Sequence, residues 1–349
     1  MSAVDRVRAL VTLVPPAGTD GARTRVDAEN NKRTERFMLR VTGQVDITGA
    51  GTGLRNRGSI LAAMSEMGFT DAGADKVVLD PRLARFIAEY FAPSALPALR
   101  LGGAGVQAAT LLNETVPLWL AAPNSVNPND TKYVEVNKQS ALQVFINPNR
   151  TIGRLVAGAP TGTITNLQAT VQQVFDDLLG TPPMLTCYTR QLVQTVAGTN
   201  AALKIDLRGS RYIRAIAIQQ DTDQGEDPTL ITGVVLRGDA ASIIGDRTVP
   251  YVDLQEHSQE LAGGAVNVAA APGYLLYDFM RYGRLSTFWN PYQDTNLRLE
   301  LAVNNSTIGG TNPVIRVAVL EYERTAATMG NGAPNTPGFG PDGTPNILP

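Results

Sequence analysis

Four carboxylates crowd into seven residues at Asp221-Thr222-Asp223-Gln224-Gly225-Glu226-Asp227. Clustered side-chain oxygens are what a hard cation such as calcium requires. An EF-hand loop, however, needs ligands at alternating positions, a Gly at the sixth and a Glu at the twelfth. Here Glu226 and Thr232 take those places, so that motif fails. What remains is an irregular structural calcium site at Asp221, Asp223 and Asp227, set against the plainer reading of a solvated loop between strands. The one histidine, His257, lies in Asp253-Leu254-Gln255-Glu256-His257-Ser258, which suggests a Ser–His–acid relay. No Gly-x-Ser-x-Gly elbow exists in the chain, and triad members are seldom neighbours in sequence. The one cysteine, Cys187, sits between Thr186 and Tyr188 on an expected strand and reads as a small buried residue. Asp176-Asp177 marks the end of a strand more simply than a catalytic pair. Gly49-Ala50-Gly51-Thr52-Gly53 and Gly102-Gly103-Ala104-Gly105 lack the spacing and the Lys-Ser/Thr of a phosphate loop, and read as tight turns. The expectation is a chain with no catalytic or cofactor-binding residues, calcium at the acidic loop being the one cofactor left open.

The basic residues are distributed unevenly. Arg6, Arg8, Arg23, Arg25, Lys32, Arg33 and Arg36 lie in the first tenth of a chain whose formal net charge is −2. Val4, Val7, Leu10, Val11 and Val14 fall at helical spacing until Pro15-Pro16 stops them. Residues 1–33 therefore read as an N-terminal arm, the other reading being a disordered tail. Such an arm can touch acidic lipid headgroups or packaged nucleic acid without reading its sequence, and the alternative is ordinary solvated charge.

The elements that must carry these residues are mostly strands. Period-2 alternation runs through Phe37–Val45, Ala141–Ile146, Tyr212–Ile218, Leu230–Leu236, Leu297–Leu301 and Val314–Val319. Gly, Pro, Asn and Asp clusters separate the runs. Two short helices are expected, one over Ser59–Met67 and one starting at Asp80-Pro81, an N-cap acid followed by a proline in the first turn. Leu83, Phe86, Ile87, Tyr90 and Phe91 give the second helix an apolar stripe suited to packing on a sheet. With 33 Gly and 22 Pro in 349 residues, many short elements fit better than long helices. Charged residues make up 18%, below the roughly 25% of an average soluble domain. No apolar stretch is long enough to span a bilayer as a helix, and Met1–Arg6 lacks the apolar core of a secretory signal, so synthesis in a cytoplasm is expected.

A chain of this length exceeds one ordinary core, and it echoes itself. Leu54–Ile60 resembles Leu207–Ile213, Ala141–Asn147 resembles Asn296–Ala302, the strand from Leu167 resembles that from Ile315, and that at Leu39 resembles that at Leu192. The offsets are 153, 155, 148 and 153 residues. The organisation expected is an all-β chain of two tandem eight-stranded jelly rolls, with short helices in the connecting loops. Residues 34–180 form the first and 181–326 the second, joined near Gly180-Thr181-Pro182-Pro183. Residues 327–349, dominated by Gly, Pro, Asn and Thr, read as a flexible tail or as an arm that orders only against a neighbour.

This layout, with Tyr282–Pro291 leading into Asp294-Thr295-Asn296-Leu297, resembles the double jelly-roll major capsid proteins. That lineage is shared by adenovirus hexon and the tailless, membrane-containing icosahedral bacteriophages. The resemblance covers residues 34–326 and is architectural rather than motif-based. It implies a homotrimer whose six jelly rolls make a pseudo-hexagonal capsomer of an icosahedral shell, with the N-terminal arm on the inner side. The partners implied are neighbouring capsomers, penton and minor capsid proteins and the inner viral membrane, and the place is the virion capsid, assembled in the host cytoplasm. Two other readings compete. One is the tailed-phage capsid fold, for which the helix at Asp80 would be the spine. The other is a carbohydrate-binding β-sandwich protein using Trp119 or Trp289.

Overall fold

The structure, a computed structural model, describes residues 6–29, 33–91, 96–120, 133–134, 142–176, 185–196, 200–207, 211–222, 225–238, 242–244, 273–279, 296–304 and 312–324. The principal strands of a first module are β1 (Arg6–Ala9), β2 (Thr24–Asp27), β3 (Arg33–Gly49), β4 (Met64–Asp71), β5 (Ala74–Leu79), β6 (Gln107–Trp119), β7 (Leu142–Pro148) and β8 (Thr161–Asp176). Those of a second are β9 (Leu185–Thr195), β10 (Asn200–Asp206), β11 (Tyr212–Thr222), β12 (Ile231–Arg237), β13 (Ser242–Ile244), β14 (Tyr274–Asp278), β15 (Arg298–Val303) and β16 (Val314–Arg324).

The two modules share one wiring. In the first, the sheets run β1-β8-β3-β6 and β2-β7-β4-β5; in the second, β9-β16-β11-β14 and β10-β15-β12-β13. Every pairing inside a module is antiparallel, and the first strand lies beside the last, as in a jelly roll. The expected pair of jelly rolls is what the chain folds into. One parallel contact, Thr189 on β9 opposite Val77 on β5, joins a sheet of each module edge to edge.

Two of the four sequence echoes fall on equivalent strands, β7 with β15 and β8 with β16. The other two do not. The counterpart of β3 is β11, not β9, and Leu54–Ile60 follows β3 whereas Leu207–Ile213 leads into β11. Any alternating strand resembles any other, so a near-constant offset was partly coincidence.

The N-terminal segment corrects the reading as an arm or short helix. β1 pairs with β8 from Arg6 opposite Phe175 to Ala9 opposite Gln172, and Leu13, 2% exposed, bridges to Ala169. β2 pairs with β7. Residues read as a tail thus supply the first strand of each sheet. Of the apolar residues at helical spacing, Val7, Val11 and Val14 are exposed and Leu10 is partly buried, while Leu13, outside that spacing, is packed in the core. Ser59–Met67 is likewise not a helix. Positive φ at Asn56, Arg57 and Gly58 precedes a single 3-10 turn, Ile60–Ala63, whose start is capped by the Ser59 hydroxyl accepting from Leu61 N at 3.2 Å. The chain then enters β4. The helix expected at Asp80 does form, as α1 (Pro81–Phe91), and at 11 residues it is no spine helix.

Each module has its own core, and α1 welds them together. Ile216 and Ile218 on β11, with Ile315, Val317 and Val319 on β16, face the second module's interior. Their alternate neighbours Ala215, Ala217, Ala318 and Leu320 join the core that contains Leu83, Phe86, Ile87 and Tyr90 of α1. This sheet is therefore covered on both faces. The small alanines at alternate positions let the helix sit close to the strands, so the alternation in Tyr212–Ile218 sets large apolar residues against small ones.

Candidate functional site: a charged seam between the modules

Local sequence sets α1 in place. Asp80 caps the helix, its Oδ1 accepting from Arg82 N at 2.9 Å, while Pro81 occupies the first helical position. Asp80 N in turn donates to the Gln191 side-chain oxygen on β9 of the other module at 2.7 Å. The cap is thus already a contact between modules.

Arg82, one residue further on, completes it. Its Nη2 donates to Asp80 Oδ2 at 2.8 Å and to Asp221 Oδ2 on β11 at 2.7 Å. Nη1 reaches Asp221 Oδ1 at 3.3 Å and also donates to Asn56 Oδ1. Arg316 on β16 closes the ring, with Nη1 2.8 Å from Asp221 Oδ2 and Nε 3.6 Å from Asp80 Oδ2. Asp80 and Arg82 side chains are 1% and 4% exposed. Burying such charges costs several kcal/mol per ion, and that cost is offset only where each charge is met by multiple hydrogen bonds. The alternation of two acids and two arginines meets that condition.

The ionisation follows from the geometry. Burial by itself pushes the Asp80 carboxyl up, but Arg82 and Arg316 outweigh it and hold the group well below the ordinary carboxylate range. The Asp221 carboxyl is also held down, with burial opposed by Arg82 and then Arg316. Arg82 is driven well above its usual value because Asp80 and Asp221 outweigh its burial. Asp80, Asp221 and Arg82 are therefore charged across the physiological range.

A second layer lies beside the first. Arg57 Nη2 donates to Glu226 Oε2 at 2.8 Å, the Tyr274 hydroxyl donates to Glu226 Oε1 at 2.8 Å, and the Phe86 ring of α1 stacks on Tyr274 at 4.9 Å. Burial, then the charge of Glu226, keeps the Tyr274 phenol protonated far above its usual pKa. At the other end of α1, the buried Arg214 guanidinium lies 4.2 Å from the Phe91 ring centre and 3.5 Å from Asp278.

The residues singled out in the sequence are dispersed. Arg6 lies on β1 opposite Phe175, and Arg8 on the same strand is paired with Glu29. Arg23 is bound to Asp75 at 2.9 Å and Glu66 at 3.2 Å and lies over the Phe145 ring at 4.2 Å. Arg25 is exposed on β2, and Arg33 opens β3 opposite Asp176. The strands that carry Arg6, Arg8 and Arg33 lie in one sheet and the strand that carries Arg25 lies in another. Lys32, His257, Trp289, Asp177, the 180–183 linker, residues 282–295 and the 327–349 tail lie outside the described residues. Of the acidic loop, Asp221 is held by arginines, Asp227 Oδ1 accepts from Thr229 N at 2.9 Å and from its hydroxyl at 2.6 Å, and Asp223 lies outside the described residues. Among the described residues, no three His, Cys, Asp or Glu side chains gather as a metal site. Cys187 lies on β9 opposite Tyr322. The glycine-rich segments are turns that meet, Gly51 N donating to Ala104 O at 2.9 Å.

The seam itself was missed in the sequence. Asp80-Pro81-Arg82 signalled a helix start, but nothing local ties Arg82 to Asp221 or Arg316. The arrangement fixes two rigid bodies together; it presents no activated nucleophile and no acid–base pair poised at a cleft.

No protein-family model matches the chain, and no curated protein resembles it in sequence. Solved structures do resemble it in fold. The STIV MCP superposes with a TM-score of 0.71 over 95% of this chain and 100% of that one, at 12% identity. The PBCV-1 virus capsid gives 0.60 over 92% and 94%, at 11% identity. The major capsid protein P2 from Bacteriophage PM2 gives 0.57 over 93% and 99%, at 12% identity. With identical strand order in both modules and near-complete coverage of both partners, this chain has the double jelly-roll fold of viral major capsid proteins.

Proposed function

We propose that this chain is a major capsid protein, the repeating tile of an icosahedral virion. The observation that carries the reading is the twofold use of one jelly roll, locked by α1 and its ion cluster into a single rigid block. A shell tile needs no moving parts. It needs a stiff body with several similar edges, and two equivalent modules per chain give a trimer six similar corners. The proposal extends to a homotrimeric, pseudo-hexagonal capsomer contacting its neighbours, penton and minor capsid proteins, in a virion assembled in the host cytoplasm. A bacterial host belongs to the same reading, on the likeness to the major capsid protein P2 from Bacteriophage PM2, and the proposal includes an internal membrane beneath the shell. A carbohydrate-binding role finds no support at Trp119, whose ring is covered by Arg36 at 4.9 Å.

The test is direct. Native mass spectrometry of the purified chain should give three times 37.2 kDa, and electron microscopy of particles containing it should resolve hexagonal capsomers. A strictly monomeric protein, absent from any particle, would remove the proposal.

A further inference from the structure

Among the described residues, the seam leaves the Arg154 guanidinium without a protein acceptor. Arg154 ends the 3-10 turn Ile152–Arg154 in the connection between β7 and β8. Its backbone is fixed, N donating to Thr151 O at 3.0 Å and the carbonyl accepting from Asn56 Nδ2 at 2.6 Å. Among the described residues, nothing accepts a hydrogen bond from its side chain. That side chain lines a cavity of about 220 Å³ together with Asn56, Arg82, Asp221, Thr222 and Arg316. Both modules therefore contribute walls.

Among the described residues, the charge there does not balance. Three guanidiniums, Arg82, Arg154 and Arg316, face two carboxylates, Asp80 and Asp221, whose oxygens already accept from Arg82 and Arg316. Arg154 is held below its ordinary pKa by burial and by the like charges of Arg82 and Arg316, against the opposite pull of Asp80 and Asp221. As a guanidinium it nonetheless stays charged at neutral pH. Arg316 uses Nη1 on Asp221 and Nε toward Asp80, leaving Nη2 as a further donor among the described residues. A cavity of this size has room for a few waters or one small polyatomic anion. A guanidinium fork matches the oxygens of phosphate or sulfate, which a compact ammonium does not.

We propose that this cavity is a binding site for a tetrahedral oxyanion of the phosphate class, held by Arg154 and Arg316 and bridging the two modules. The bound anion removes the excess positive charge and ties the β7–β8 connection of the first module to β16 of the second. Its source is either free inorganic phosphate or the phosphate of a lipid headgroup. The inference does not depend on the shell reading, because it concerns the isolated chain.

The experiment is thermal unfolding of the full chain in sodium phosphate and in sodium chloride at matched ionic strength and neutral pH. The midpoint should rise saturably with phosphate, as for any ligand that binds only the native state. Arg154→Gln should raise the half-saturating phosphate concentration by about tenfold or more, the loss of one charge-assisted hydrogen bond being worth that factor. Its midpoint in chloride should be no lower than that of the parent. Arg154→Lys should retain a weaker rise. Equal midpoints in the two salts, or an undiminished rise in Arg154→Gln, overturns the proposal. Should Arg154→Gln fail to fold, phosphate titration of the parent chain by calorimetry decides, and no saturable heat overturns it. Flotation with phosphatidic acid vesicles against phosphatidylcholine vesicles then separates the sources. Saturable phosphate binding without flotation assigns the free ion, and phosphatidic-acid flotation that Arg154→Gln abolishes assigns a headgroup.

Discussion

The Arg82 guanidinium of α1 holds Asp221 of β11 at 2.7 Å, so one buried ion pair spans the two jelly rolls. Because its partners Asp80 and Arg316 belong to different modules too, removing any one member leaves a buried charge exposed to a low dielectric. Asp221→Ala should destabilise the chain by about 3–5 kcal/mol. Replacing Arg82 and Asp221 together with Met and Leu should cost clearly less than the two single changes summed. Urea unfolding of the parent, Asp221→Ala, Arg82→Met, Asp221→Leu and the double variant checks both statements.

The same cluster makes stability fall in acid. Asp80 and Asp221 have folded-state pKa values below the ordinary 3.8. Glu300 is lowered from 4.5 to about 2: burial works against this, but hydrogen bonds from Arg298 and Arg237 outweigh it. A depressed carboxyl contributes stability that is complete above its unfolded pKa and is lost as pH falls through its folded value. The unfolding midpoint should therefore be flat near neutrality and drop from pH 4.5 toward 2. Glu300→Gln should shallow that drop, measured as midpoint against pH.

The N-terminal strands give a sharper contrast. Leu13 is packed in the first module's core, whereas Arg25 is exposed on β2. Leu13→Ala should cost about 2–5 kcal/mol, and Arg25→Ala should stay within about 0.5 kcal/mol of the parent. Equal, negligible effects in chemical denaturation would return residues 1–33 to the status of an arm.

Ala217 of β11 packs in the core that contains α1. Ala217→Leu should overpack that contact and cost about 1–3 kcal/mol, a loss visible in thermal unfolding. Ile216→Val, facing the opposite side of the same strand, should cost about 0.5–1.5 kcal/mol.

Local chemistry alone determined much of this chain. Alternation at Phe37–Val45, Tyr212–Ile218 and Val314–Val319 specified strands because side chains in an extended backbone point to opposite faces by turns. Asp80-Pro81 specified a helix start because a carboxylate satisfies free amides there. Two modules followed from length and repetition. Which strands pair was a different matter. β1 joins β8 across more than 160 residues, and no local signal encodes that partner. Its four residues carry too little pattern to be told from a tail. The seam belongs to the same class: Asp80, Arg82, Asp221 and Arg316 are ordinary charges in sequence, and they become a buried lock only when folding brings β11 and β16 against the first turn of α1. Charge pairing acts through space at a few ångströms, so only the tertiary structure could decide it.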